Sequence, residues 1–191
     1  MNYLYTFTSS NSKFLPFYIV FLIVSTFERI NSTFIFTGKK ITKIIYHRWA
    51  FIIPLSTYLL ILFTSMIEFF LTVKIVNLII SLIGFVIFIA GVLLRKKSIS
   101  GLGENWSLYI EIKEGHELIT DGVYKILKHP YCLAVIFELI GVCLLANAFF
   151  SLIMVFLIQA PLLLIRVNLE ERVLIDYFGD AYRRYIRDKI L

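Results

Sequence analysis

The chain has 191 residues, 59% of them hydrophobic, with a mean hydropathy of +0.84 and a formal charge of +6. A soluble domain holds nearer half apolar residues, so a water-soluble fold around one small core is excluded and an integral membrane protein is expected. The basic residues are scattered through the connections between apolar blocks, which fits the charge bias of membrane proteins and excludes a concentrated nucleic-acid surface.

Five apolar blocks follow in chain order. The first runs roughly from Phe14 to Phe27, with a helical continuation to Phe36 left open. The opening stretch has no basic n-region and no small-residue cleavage site, so it reads as a retained first helix and not as a signal peptide. The second block is Trp49 to Leu71 and the third Ile75 to Leu94. Both supply the ~20 residues that cross a ~30 Å hydrocarbon layer. The fourth, Tyr131 to Leu145, and the fifth, Ala148 to Ile165, are joined by a turn at Ala146-Asn147 and form a tight helical hairpin.

The charges fit this count. Five spans place 17 of the 19 Lys and Arg residues on one side and leave Lys13 and Lys74 opposite. That asymmetry puts the N-terminus outside and the C-terminus in the cytosol. The cytosolic loop 95–130 is too long for a plain connection, and such loops tend to be functional. Gly101, Gly103 and Gly115 break it, and Ile119 to Leu127 reads as a short turn or a strand-like piece. Pro130 suits the first turn of helix four. Residues 166–190 read as an amphipathic helix, with Val167, Leu169, Val173, Leu174, Tyr177 and Phe178 at helical spacing and a break at Gly179. The expected fold is an all-α integral membrane protein of about five transmembrane helices, with residues 1–94 as three N-terminal spans and 95–191 as the catalytic region.

The candidate chemistry sits in two polar pieces, GHELITDGVYKILKHPYC and RVNLEERVL. Arg166 and Glu170 are four apart, on one helical face at the mouth of the fifth span. They are either a snorkelling arginine with its salt-bridge partner, or a guanidinium for an anionic substrate group beside a carboxylate for a cationic cofactor group. His129 before Pro130 is either a polar cap at the interface or a site residue. Tyr124 and Tyr131 are interfacial belt residues or site residues. Glu138, about two turns into span four, is expected to face a cavity or a partner, or to be protonated and bonded to another helix. The Gly101-Leu102-Gly103 run lacks a third glycine and follows no strand, so it is no dinucleotide fingerprint. His47, His116 and His129 lack metal-ligand spacing, and Cys132 and Cys143 suggest neither a disulfide nor a zinc site. No metal is expected.

In order and spacing these pieces resemble the isoprenylcysteine carboxyl methyltransferase family of integral-membrane enzymes. The matching runs are LRKKSISGLGENWS, GHELITDGVYKILKHPYC, RVNLEERVL and FGDAYRRY, over roughly residues 93–185. The resemblance implies an S-adenosylmethionine site built from the cytosolic loop, the start of span four and the C-terminal amphipathic helix. Carried over position by position, the cofactor residues are His116, Glu117, Leu118, Ile119, Tyr124, His129, Pro130, Tyr131, Cys132 and Glu170. Arg166 falls on the substrate-binding arginine, and Arg166 and Glu170 are the residues implied to carry catalysis. The family pattern H-P-x-Y-x-G is altered: Tyr131 stands one place early, Cys132 takes the tyrosine position and Ala134 the glycine position. The family glutamine upstream has no clear counterpart, although Tyr109 lies near its place.

The implied reaction is carboxyl O-methylation of a lipophilic, prenylcysteine-like acceptor at the bilayer. A carboxylate is already anionic at pH 7, so the residues need only position it and exclude water. Two other readings remain open: N-methylation of a phospholipid or other lipid amine, which would not call for Arg166, and an NADPH-dependent enzyme similar to the sterol reductases.

Overall fold

The computed structural model describes residues 8–34, 42–73, 75–187 and 189. Helices form along the apolar runs: α1 (Asn11–Phe34), α2 (Trp49–Leu71), α3 (Leu78–Leu102) and α4 (Pro130–Leu145). A continuous helical run follows, made of α5 (Phe149–Met154), a π-helical turn (Val155–Gln159) and α6 (Ala160–Phe178), and α7 (Asp180–Arg187) closes the chain. Among the described residues, four helical stretches are long and apolar enough to cross a membrane: Asn11–Thr33, Trp49–Leu71, Leu78–Asn105 and Phe149–Phe178. Pro130–Leu145 is apolar but shorter. Phe36, the far limit of the expected first helix, lies outside the described residues, as do Lys39, Lys40 and Lys74.

The architecture is mostly helical, with two small departures from the all-α expectation. Strand β1 (Thr8–Ser10) pairs antiparallel with β3 (Ile75–Asn77), and β2 (Thr42–Tyr46) pairs antiparallel with β4 (Ile110–Lys113) across a register irregularity between Thr42 and Ile44. In β4, Ile110 and Ile112 alternate onto a buried cluster with Ala50 and Val173. An alternation this short carries little signal in sequence. The piece Ile119 to Leu127 holds a 3-10 turn at Gly122–Lys125 and no strand.

Two boundaries also move. Helix α3 continues to Leu102 and stops where Gly103 takes φ +51°, a backbone state that glycine adopts cheaply. Arg95, counted as a loop cation, therefore lies inside the helix and is fully buried. The fifth block runs through Arg166 without a break as far as Phe178, where Gly179 (φ +58°) ends it as expected. At the hairpin tip Asn147 has φ +56°. Its side chain accepts from the Asn77 amide at 2.8 Å and donates to Ser81 Oγ at 2.9 Å, so the turn is tied to the start of α3.

Helices α3 and α4 lie against each other along their length because glycines remove side chains at the contact. A Cβ on Gly84 would sit 2.5 Å from the Leu145 nitrogen, and one on Gly141 would sit 2.6 Å from the Phe88 nitrogen. Helix α2 is tied to the π turn through Gln159, whose Oε1 accepts from Thr57 Oγ1 at 2.6 Å and whose Nε2 donates to the Pro54 carbonyl at 3.2 Å. Glu138 has partners on two helices, with Arg29 of α1 at one carboxylate oxygen and Arg95 of α3 at the other.

Candidate active site

The long loop wraps the end of α3 and returns to the start of α4, and its internal bonds hold its shape. Trp106 is buried and its indole N–H donates to the Thr33 carbonyl at 3.1 Å, fastening the loop to α1. The Lys113 ammonium, also buried, donates to the carbonyls of Glu104 and Trp106. Gly115 (φ +62°) turns the chain out of β4 toward His116. Tyr124 is buried, and its hydroxyl donates to the Ser98 carbonyl at 3.2 Å.

Helix α4 then opens at His129-Pro130, with proline in the first turn where its missing N–H leaves no bond unmade. Tyr131 packs on Trp106 at a ring distance of 4.6 Å. From the other side α6 presents Arg166, Glu170, Val173 and Leu174, and α7 brings Tyr182 and Tyr185. The Tyr185 hydroxyl donates to the Tyr124 carbonyl at 2.7 Å, which locks α7 over the loop.

These elements line one open cleft with about 100 Å³ of free space. His116, Glu117, Leu118, Ile119, Tyr124, His129, Pro130, Tyr131, Cys132, Arg166 and Glu170 all line it. The structure thus brings together every residue carried over to the cofactor and substrate positions, while Glu138 lies outside the cleft. It adds Trp106, Tyr109, Tyr182 and Tyr185, which line the cleft without having been assigned to it. Their aromatic character was visible, but the belt residues of a membrane protein look the same in sequence.

The electrostatics separate the two readings of Arg166 and Glu170. Arg166 is buried; its Nη2 donates to the Leu108 carbonyl at 2.8 Å and its Nη1 to the Ala50 carbonyl at 3.5 Å. Its Nε is buried with no acceptor, and among the described residues no carboxylate pairs with the guanidinium. The salt-bridge reading is therefore set aside: one helical face does not bring the two heads into contact. Glu170 has no arginine or lysine partner among the described residues, and His129 Nδ1 lies 3.9 Å from its carboxylate. Glu171, next in sequence, instead faces His129 Nε2 at 3.3 Å and Lys128 Nζ at 3.4 Å.

Burial pushes the Tyr124 and Tyr182 hydroxyls well above the ordinary phenol range, with the Glu170 carboxylate adding to the shift. Burial pushes Tyr185 up to about 12. All three stay neutral hydrogen-bonding groups at pH 7. Among the described residues no group of His, Cys, Asp and Glu could hold a metal ion.

A second cavity of about 300 Å³ lies between α1, α2, α3 and α4. Leu55, Leu59, Leu62, Phe88 and Val142 make it mainly apolar, and it shares Tyr131 with the cleft. Leu108 also lines this cavity, while its carbonyl holds Arg166 on the cleft side. Tyr131 and Leu108 together form the partition between the two spaces.

The sequence profile of the isoprenylcysteine carboxyl methyltransferase family matches residues 82–176, the stretch that carries the α3–α4 crossing, the loop and most of α6. The chain belongs to the isoprenylcysteine carboxyl methyltransferase family. It is 29% identical over 97 residues to the protein-S-isoprenylcysteine O-methyltransferase of Schizosaccharomyces pombe, covering 50% of this chain and 41% of that protein. It is 32% identical over 110 residues to protein-S-isoprenylcysteine O-methyltransferase A of Arabidopsis thaliana, covering 53% of each. The chain spans about half the length of the curated relatives it matches. In fold it resembles the solved structure of the eukaryotic intramembrane Ras methyltransferase ICMT, with a TM-score of 0.70, 22% identity, and coverage of 94% of this chain and 65% of that one. With four long apolar helices and this fold, the family member described here is an integral membrane protein.

Proposed function

We propose that the protein transfers a methyl group from S-adenosylmethionine to the carboxylate of a lipophilic, prenylcysteine-like acceptor. The observation that carries this reading is the unpaired Arg166 guanidinium in the cleft, with a buried Nε that has no acceptor. A buried cation without an anion is costly, and a carboxylate that accepts from its fork removes the cost. A lipid amine would leave that guanidinium unsatisfied. The family membership supports methyl transfer over hydride transfer from a nicotinamide.

The cleft residues suit the cofactor. Glu170, with no arginine or lysine partner among the described residues, would hold its ammonium, and His116, Glu117, Leu118, Ile119 and Tyr124 would line one side of it. His129, Pro130, Tyr131 and Cys132 would line the other. When bound, S-adenosylmethionine would supply a sulfonium methyl group, and an acceptor carboxylate attacks such a carbon without a general base. The work left to this chain is orientation and exclusion of water. Arg166, fixed by two backbone carbonyls, would aim the carboxylate, and the Tyr185 lock would keep α7 over the site. The apolar chain of the acceptor would pass the Tyr131–Leu108 partition into the second cavity.

In the membrane, five spans with α4 as the short one would place the N-terminus outside and the cleft in the cytosol, an arrangement that the distribution of Lys and Arg supports. Calorimetry of the purified protein with S-adenosylmethionine and with NADPH tests the cofactor. Transfer of radiolabelled methyl to an S-prenylcysteine tests the acceptor. Heat from NADPH alone, or labelling of a lipid amine in preference to the carboxylate, would overturn the reading.

A further inference from the structure

The second cavity contains charge that its apolar walls do not call for. Arg29 and Glu138 both line it. They belong to a chain of ion pairs running Lys96–Glu28–Arg95–Glu138–Arg29 across α3, α1 and α4. Glu138 is shared between two arginines, and Glu28 is shared between Arg95 and Lys96. Three cations thus divide two carboxylates, and Arg29 lies at the end of the line that faces the cavity. Its guanidinium carbon lies 4.1 Å from the Tyr58 ring centroid, and Nη1 donates to Glu138. Nε and Nη2 find no acceptor among the described residues, and the Arg29 side chain keeps 18% exposure while Glu138 and Arg95 keep 1% each. A hydrocarbon chain alone in this cavity would strip water from those donors and return nothing.

Arg29, Tyr58 and Glu138 put the charge partway along the cavity, and the walls that α2, α3 and α4 supply beyond it are apolar. Arg29 and Thr33 stand near the end of α1, with Tyr131 at the start of α4. Leu59, Leu62 and Val142 lie further along their helices, with Phe88 opposite. The space is therefore shaped and charged for a molecule with one anionic head and one apolar chain. Ionisable side chains inside membrane segments commonly mark such sites.

We propose that the second cavity binds an anionic single-chain amphiphile, with its head on Arg29 over Tyr58 and its chain along Leu59 and Leu62. This goes beyond the methyl-transfer reading, and only the source of the ligand rests on it. The head chemistry is an anionic oxygen, carboxylate or phosphate, which a guanidinium accepts in the same way. A lipid of the bilayer supplies it, because the acceptor's carboxylate is placed on Arg166 in the cleft.

The test measures binding of hexadecanoate, hexadecyl phosphate and hexadecanol to the full chain in neutral-lipid nanodiscs, without cofactor. The two anions should bind about tenfold or more tighter than the alcohol, the loss expected for one charge-assisted pair. Arg29→Gln should erase that preference and leave alcohol binding unchanged. Arg29→Lys, which can still pair with Glu138, should keep part of it. Leu59→Trp, which touches no ion pair, should weaken all three ligands by filling the chain path. Equal binding of anion and alcohol by the native chain would overturn the proposal. So would an anion preference that survives Arg29→Gln, or unchanged binding in Leu59→Trp. An S-prenylcysteine should keep its affinity in Arg29→Gln, because Arg166 holds its carboxylate; a loss of affinity would put the acceptor's head on Arg29 and overturn the assignment to a bilayer lipid. A separate titration with S-adenosylmethionine reports on the cleft, so failure of this site and failure of the methyl-transfer reading give different results.

Discussion

Arg166 Nη2 donates to the Leu108 carbonyl at 2.8 Å, and no carboxylate shares the guanidinium among the described residues. The backbone fixes the head without neutralising it, so the charge stays available to an anion in the cleft. Arg166→Lys keeps the charge but loses the planar fork. Methyl transfer to an S-prenylcysteine should fall about ten- to a hundredfold, while cofactor binding holds. Glu170→Gln should do the reverse and weaken cofactor binding first. Calorimetry and a radiolabel transfer assay on both variants separate the roles, and swapped effects would refute the assignment.

Tyr185 holds α7 to the loop through its neutral hydroxyl, which donates chiefly to the Tyr124 carbonyl at 2.7 Å and more weakly to the Leu127 carbonyl at 3.4 Å. Tyr185→Phe removes that hydroxyl and keeps the ring. A bond of this kind is worth ~0.5–1.5 kcal/mol, so cofactor affinity should weaken about two- to tenfold. Unchanged affinity would mean that α7 does not cover the cofactor.

Glu68 of α2 caps another helix at a distance. Its carboxylate accepts from the amides of Phe150 and Ser151, each at 2.8 Å, and from the Ser151 hydroxyl at 2.8 Å. Unpaired amides at the start of α5 would be costly in an apolar setting. Glu68→Ala should cost ~1–2 kcal/mol, in the range of a lost N-cap. Glu68→Gln keeps an acceptor and should lose less. Thermal unfolding of the detergent-solubilised protein reads both, and the same melting temperature for Glu68→Ala would contradict the capping role.

The α3–α4 crossing should tolerate no side chain at Gly141, where a Cβ would sit 2.6 Å from backbone of Phe88. Gly141→Ala should cost at least ~1–3 kcal/mol, as overpacking does. Gly101→Ala, where the nearest atom is a Tyr124 ring carbon at 3.3 Å, should be milder. The comparison is again a melting temperature, and equal effects would mean that the helices part without cost.

For topology, a reporter fused after Leu191 should be active only in a form that works in the cytosol. Activity outside would reverse the orientation drawn from the Lys and Arg distribution.

By itself the sequence determined the membrane class, the hairpin turn at Ala146-Asn147 and the break at Gly179, and the family resemblance pointed to part of the cleft lining. Each depends on composition, on local turn chemistry or on motifs that lie in order along the chain. Only the tertiary structure decided how those residues are paired. Arg166 and Glu170 share a helical face, yet Leu108 and Ala50 on other elements take the guanidinium. Arg95 looked like a loop cation because a charge usually ends an apolar run. It is buried because Glu28 and Glu138, 67 and 43 residues away, supply its counter-charges. The β2–β4 pairing and the Gly141–Phe88 contact likewise join distant segments. Hydrophobic periodicity and capping act within a few residues, so the sequence shows them directly. Ion pairing and close packing act across space, where the partner is set by how the helices cross.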